Sequence, residues 1–232
     1  MIFDKNGMNF IWYSCFALPV GAAVFALYYI LSKAGLRREK LIAKCTVTFL
    51  SVASAGLAIR LRGGNLLTNL VFWFFVLCTA ADALLEIRFV PGMLLFGTAH
   101  FCLILWMAGR IPGTGRHLPP ALWILVLLLL WMLLTAFVLL LFRKELRKLG
   151  RKRLPFCLYA ALLAASLALG VSLPYAAGKP YLTLAVGTLC FFASDMMVGK
   201  ATLSSLPCFL EKPTMGLYWG GLYLISAALW IA

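Results

Sequence analysis

This sequence predicts an all-α polytopic membrane protein, a bundle of about eight transmembrane helices making up a single integral membrane domain over residues 1–232. Its composition is 64% hydrophobic and 12% charged, with a mean hydropathy of +0.99. A soluble domain is roughly 45–50% apolar and about 25% charged. The apolar residues come in unbroken runs of the length, about 20 residues, that carries a helix across a bilayer core, without the alternation of an outer-membrane barrel strand. Basic residues gather in the short gaps between runs, as loops flanking membrane spans do. Together these features exclude a disulfide-rich secreted scaffold, a disordered chain and an ordinary cytosolic enzyme.

The first run, 10–31, is too long for a signal-peptide core and has no A-x-A exit, so it reads as a span. The second and third are 41–59 and 68–87. The fourth, fifth and sixth are 91–109, 119–142 and 155–173, opening on Pro91, Pro119 and Pro155. Proline is tolerated in the first turn of a helix, where its missing N–H has no helical partner. The seventh and eighth are 181–199 and 215–232. The seven cysteines, from Cys15 to Cys208, form no CxxC pair and sit mostly inside the runs, which fits small buried hydrophobes. Gly109–Gly115 (GRIPGTG) has no strand before it and reads as a turn. GxSxG, P-loop and HExxH patterns are missing.

The net charge of +14 does not indicate nucleic acid, because the cations lie between apolar runs and not on a soluble face. No nucleic-acid partner is expected. Counting Lys and Arg, 15 of 21 fall around the gaps after the odd-numbered spans and 6 on the other side. This places the odd-numbered gaps in the cytoplasm and both termini outside, in a multi-pass protein of a bacterial-type inner membrane. The run from Arg143 to Arg153 dominates the count and reads as a solvated cluster near anionic headgroups.

Seven acids occur in the chain. Asp4, Glu39, Glu145 and Glu211 fall in tails or gaps; Asp82, Glu86 and Asp195 fall inside or at the rim of apolar runs. A carboxylate in hydrocarbon costs about 2.5–3.5 kcal/mol on insertion scales, so such groups face a bundle interior or a wet cavity. Asp82 lies about five residues from the end of its span, or about 7–8 Å. Asp195 ends the seventh span at a similar level, Lys44 and Tyr218 open the second and eighth, and His100 stands deeper in the fourth. Five spans therefore bring polar groups to the cytoplasmic half of the membrane. Asp82 and Glu86 share one helix face, and Lys44 is the cation nearest in depth. Glu86 beside Arg88 also reads as a surface ion pair, Tyr218–Trp219 as an interfacial aromatic belt, and His100 as a histidine bonded across the bundle. Two histidines cannot make a His₃ zinc site, and His117 falls in a gap on the other side, so neither a metal nor another cofactor is expected. The third span ends Ala-Ala-Asp82-Ala and the seventh Ala-Ser-Asp195-Met, 113 residues on, a short echo of a four-plus-four repeat.

From Phe89 the chain reads F-x-x-G-x-x-x-F-x-x-x-H through His100, directly after Asp82-Ala-Leu-Leu. Lys44 opens the second span, Ser194-Asp195 closes the seventh and Tyr218-Trp219 opens the eighth. In that order and on eight spans the chain resembles the YhhN-type lysoplasmalogenase family of integral membrane proteins, over nearly its whole length. It departs from the family pattern at Ala81, where Gly precedes the Asp, and at Leu222, where the pattern has Gln. The resemblance implies an ether hydrolase that cleaves the vinyl-ether bond of lysoplasmalogens, releasing a fatty aldehyde and a glycerophospho-base.

That chemistry matches the residues. Vinyl-ether hydrolysis needs a protonated carboxyl to deliver a proton to the alkene carbon, a second carboxylate, and water, as oxocarbenium-forming glycosidases also do. Asp82 and Asp195 are the expected catalytic pair, Lys44 fixes their protonation, and His100 and Tyr218 position water or headgroup, with Glu86 beside them. The lysophospholipid would enter sideways from the bilayer, with water as co-substrate. Two other readings remain open on the residues alone. Buried Asp and Lys also serve proton coupling in a small-solute or lipid transporter, and buried charges also specify packing in a purely structural membrane protein.

Overall fold

The computed structural model describes residues 5–111, 119–150, 153–204 and 211–231. Asp4, Pro112–Gly115, His117, Arg151, Lys152, Cys208 and Ala232 lie outside the described residues. All the regular structure described is helical: α1 Lys5–Lys33, α2 Arg37–Arg62, α3 Leu66–Ile87, α4 Phe89–Ala108, α5 Pro120–Leu141, α6 Arg143–Lys148, α7 Arg153–Ala177, α8 Leu182–Ser204 and α9 Glu211–Ile231, with a 3₁₀ turn Lys179–Tyr181 before α8. Eight of the nine are long and apolar enough to cross a membrane; the short basic α6 is the exception.

Most helices run past the apolar limits read from the sequence, α2 by four residues at its start and three at its end. Hydropathy marks where apolar residues stop. Lys, Arg and Glu are good helix formers and carry the backbone helix onward into the headgroup layer. The basic run after the fifth span was expected as a gap, but its first residues coil into α6. There Glu145 is not a solvated loop acid: its carboxylate meets Lys200 Nζ at 2.8 Å, and its side chain is 14% exposed.

Each buried face follows the 3.6-residue period. On α3 it is Val71, Phe74, Phe75, Cys78, Ala81 and Asp82. On α2 it is unusually polar, with Lys44, Thr48, Ser51, Ala55 and Ala58 in one stripe. Asn65 starts α3 with a reciprocal capping box to Thr68, both bonds 2.8 Å, satisfying two otherwise orphaned N–H groups. Gly92 is needed at the tight α3–α4 corner, since a Cβ there would come within 2.7 Å of the Leu85 backbone nitrogen.

Helix contacts run α2–α3–α4–α7–α8–α9 and back to α2, a closed ring of six. Outside it, α1 lies on α2 and α9, and α5 lies on α7. Both outer helices expose large apolar side chains, among them Trp12 (71%) and Leu133 (67%). They are tied inward by a few polar contacts: Tyr13 Oη donates to the Leu50 carbonyl at 2.6 Å, and Trp131 Nε1 to that of Ala161 at 2.9 Å. The ring repeats itself. The hairpin α3–α4 corresponds to α8–α9, α2 to α7, and the outer α1 to α5, so the packing follows the four-plus-four echo of the two Asp motifs.

Candidate functional site

The sites of interest sit at the end of the bundle where α3 and α8 finish and α2, α4, α7 and α9 begin. The buried stripe of α2 sets Lys44 and Thr48 against α3, and the last turns of α3 present Asp82 to them. Lys44 Nζ lies 3.1 Å from Asp82 Oδ1. Asp82 Oδ2 accepts from Thr48 Oγ1 at 2.6 Å and from Tyr218 Oη, on α9, at 2.9 Å. Asp82 is 1% exposed and Lys44 7%. Three helices thus converge on one carboxylate, and both its oxygens are occupied. Such a buried ion pair is tolerated because added hydrogen bonds offset the loss of hydration.

Asp195 stands on α8, half-buried, and accepts a short hydrogen bond from Tyr159 Oη on α7. In the repeat, α7 and its Tyr159 stand to Asp195 as α2 and its Thr48 stand to Asp82. Next to Asp195, Ser194 Oγ donates to the Thr214 carbonyl at 3.0 Å, joining α8 to the first turn of α9.

Both aspartates line one cavity of about 330 Å³, within the range of small-molecule sites. Lys44, Tyr159 and Tyr218 share its polar wall, and Tyr28, Met93, Phe96 and Phe156 give it apolar surface. Its mouth carries Arg37, Lys40 and Glu86. Tyr218 and Trp219 are 3% and 7% exposed, so they form no interfacial belt; Tyr218 points its hydroxyl at Asp82. Glu86 is paired differently from the expectation. Its partner is not Arg88 but Arg37, whose Nη2 lies 3.9 Å from Oε2 and donates to the Glu86 carbonyl at 3.1 Å. The first turn of α2 packs beside the last turn of α3, and this brings Arg37 across.

His100 is the residue the geometry separates from the rest. It is 1% exposed and absent from the cavity wall, boxed by Phe74, Tyr159 and Phe191. Ser166 Oγ lies 2.9 Å from the Leu163 carbonyl oxygen and shares a hydrogen bond with His100 Nδ1 at 3.0 Å. The depth of His100 was legible in the sequence; its direction around the α4 axis, set by packing against α7 and α8, was not. Leu222 is buried on α9 and also lies away from the cavity. Among the described residues no three His, Cys, Asp or Glu side chains stand together as a metal ion would need.

Sequence reasoning missed Thr48, Tyr159, Arg37 and Lys40. A threonine and a tyrosine inside apolar runs look like packing, and the two cations look like loop charge. The helical spacing from Lys44 to Thr48, one turn apart, was the one available signal.

A family model described as the YhhN family matches residues 39–229. No curated protein and no solved structure matches the chain.

Proposed function

Because the chain belongs to the YhhN family, we propose that it hydrolyses the vinyl-ether bond of lysoplasmalogen-type lysophospholipids within the membrane. The observation that carries this reading is that Asp82 and Asp195, from α3 and α8, line a single cavity beside Lys44. Asp195, whose neighbour is a hydroxyl, is the proton donor in this proposal. Its proton goes to the vinylic carbon beta to the ether oxygen and leaves an oxocarbenium ion. Asp82, held as an anion by Lys44, Thr48 and Tyr218, stabilises that positive charge. Water adds to the oxocarbenium carbon and gives up a proton that restores the Asp195 acid. The hemiacetal then collapses to a fatty aldehyde and a glycerophospho-base. One water is consumed and no other reactant is required.

The remaining features support the same reading. The apolar walls suit an alkenyl chain arriving from the bilayer, and Arg37 and Lys40 at the mouth suit a phosphate. The excess of Lys and Arg at this end is the basis for placing the cavity in the cytoplasmic half of an inner membrane, with both termini outside.

The test is incubation of detergent-purified protein with a 1-alkenyl lysophospholipid, measuring aldehyde with and without chelator. Aldehyde release that survives chelation and disappears in Asp82→Asn and Asp195→Asn is the expected result. Uptake of intact lipid into vesicles with no aldehyde formed would favour transport instead.

A further inference from the structure

At the opposite end of the bundle lies a second cavity, of about 170 Å³. It forms where α2 ends, α3 begins and α4 and α9 end, and its wall includes Arg62, Gly63, Asn65, Thr68, Trp106 and Arg110. We propose that this cavity binds a phosphate oxyanion, that of a phospholipid headgroup in the leaflet away from the aspartates.

The charge is one-sided. Arg62, the last residue of α2, and Arg110, just past the end of α4, line the cavity, and among the described residues none of its lining is acidic. Nor is there an Asp or Glu in the last turns of α2, α4 and α9 or in the first turn of α3. Arginine also has the right shape, because its planar fork matches two oxygens of a phosphate where an ammonium offers only a point charge.

Donors in this region lack acceptors. Trp106 is 1% exposed, and among the described residues neither its Nε1 nor Arg110 Nε has a hydrogen-bond partner. The Arg110 guanidinium sits over the Trp106 ring, 5.5 Å from its centroid, a contact that holds the cation at the cavity without using its N–H groups. Arg62 gives one N–H to the Leu229 carbonyl at the end of α9 and keeps the others. A plain helix-capping role therefore accounts for part of Arg62 and for none of Arg110.

Backbone groups add to this. The first turn of α3 faces the cavity through Asn65 and Thr68, and the capping box satisfies the Thr68 N–H while those of Leu66 and Leu67 precede the first helical bond. The positive end of the α3 dipole lies there too. Gly63, at φ +80°, has no Cβ to keep a ligand from the chain. The level is right as well: these are helix ends, where the phosphate layer of a bilayer meets the protein.

The experiment uses the delipidated full-length protein in neutral detergent with phosphatidylglycerol, and in parallel with inorganic phosphate. The readouts are bound lipid by native mass spectrometry and the thermal midpoint. The wild type should retain phosphatidylglycerol and rise by about 2–4 °C. Arg110→Gln should lose both effects and still fold, since the buried Arg110 Nε has no hydrogen-bond partner among the described residues. Arg60→Gln/Lys179→Gln, exposed cations of the same end, should keep both. Retention by Arg110→Gln equal to wild type, or equal loss in the Arg60/Lys179 variant, would overturn the site. An equal midpoint rise with inorganic phosphate alone would overturn the lipid as its source. None of these measurements depends on the proposed hydrolysis.

Discussion

A carboxylate sealed inside a helix bundle survives only with partners, and Asp82 has three: an ammonium and two hydroxyls. Removing the ammonium alone leaves an uncompensated charge, which costs about 3–5 kcal/mol at a buried pair. Lys44→Met should therefore lower the thermal midpoint of purified protein sharply, and Lys44→Met/Asp82→Asn should recover most of the loss because nothing charged is left behind. Both proteins should release no aldehyde, which separates the structural cost from the chemical one. Asp195→Asn should fold as wild type by circular dichroism and release aldehyde at least about 100-fold more slowly, the usual worth of a positioned proton donor; a parental rate would remove Asp195 from the mechanism. At this level the sequence was informative where a residue type is expensive. An acid or lysine in an apolar run stands out because hydrocarbon penalises it, so Asp82, Asp195 and Lys44 were legible. Tyr159 and Thr48 were not, since a hydroxyl in such a run is cheap and common. His100 was located in depth but not in direction.

Helix pairing here depends on small residues. Where α8 crosses α9, a Cβ added to Gly187 would meet the Gly221 carbonyl oxygen at 2.9 Å, and one added to Gly221 would meet that of Gly187 at the same distance. Close backbone approach of this kind drives association where lipid gives no hydrophobic advantage. Gly187→Ala should cost about 1–3 kcal/mol by overpacking, read as a lower thermal midpoint. Gly220→Ala, with no atom within 4 Å of the added Cβ, should be neutral or raise the midpoint slightly, because alanine is the better helix former. Apolar runs gave the existence and order of all eight spanning helices, since a bilayer demands about 20 residues of each. Helix ends were misjudged because charged residues continue a helix that hydropathy has already left. The turn and a half of α6 was missed because its clearest anchor, Lys200, lies 55 residues along the chain from Glu145.

Closure of six helices into a ring, with α1 and α5 outside, could not be read from hydropathy, which carries no information on which span touches which. The 113-residue echo of the Asp motifs was the only trace of it. The proposed orientation rests on the distribution of Lys and Arg and can be checked directly. In a background lacking native cysteines, Lys144→Cys should react with a membrane-impermeant maleimide only from the cytoplasmic side, and Lys179→Cys only from outside; the reverse pattern would move the aspartate cavity to the other leaflet. The repeat also has a consequence for how a guest would lie. Two matching frames each hold an aspartate, yet only α2 brings an amine to its member; α7 brings a phenol. The chamber therefore has a fixed electrical direction, and an elongated molecule turned end for end inside it would not find equivalent surroundings. A scaffold built from two like halves is made to distinguish head from tail by the cations that α2 alone supplies to this cavity among the described residues.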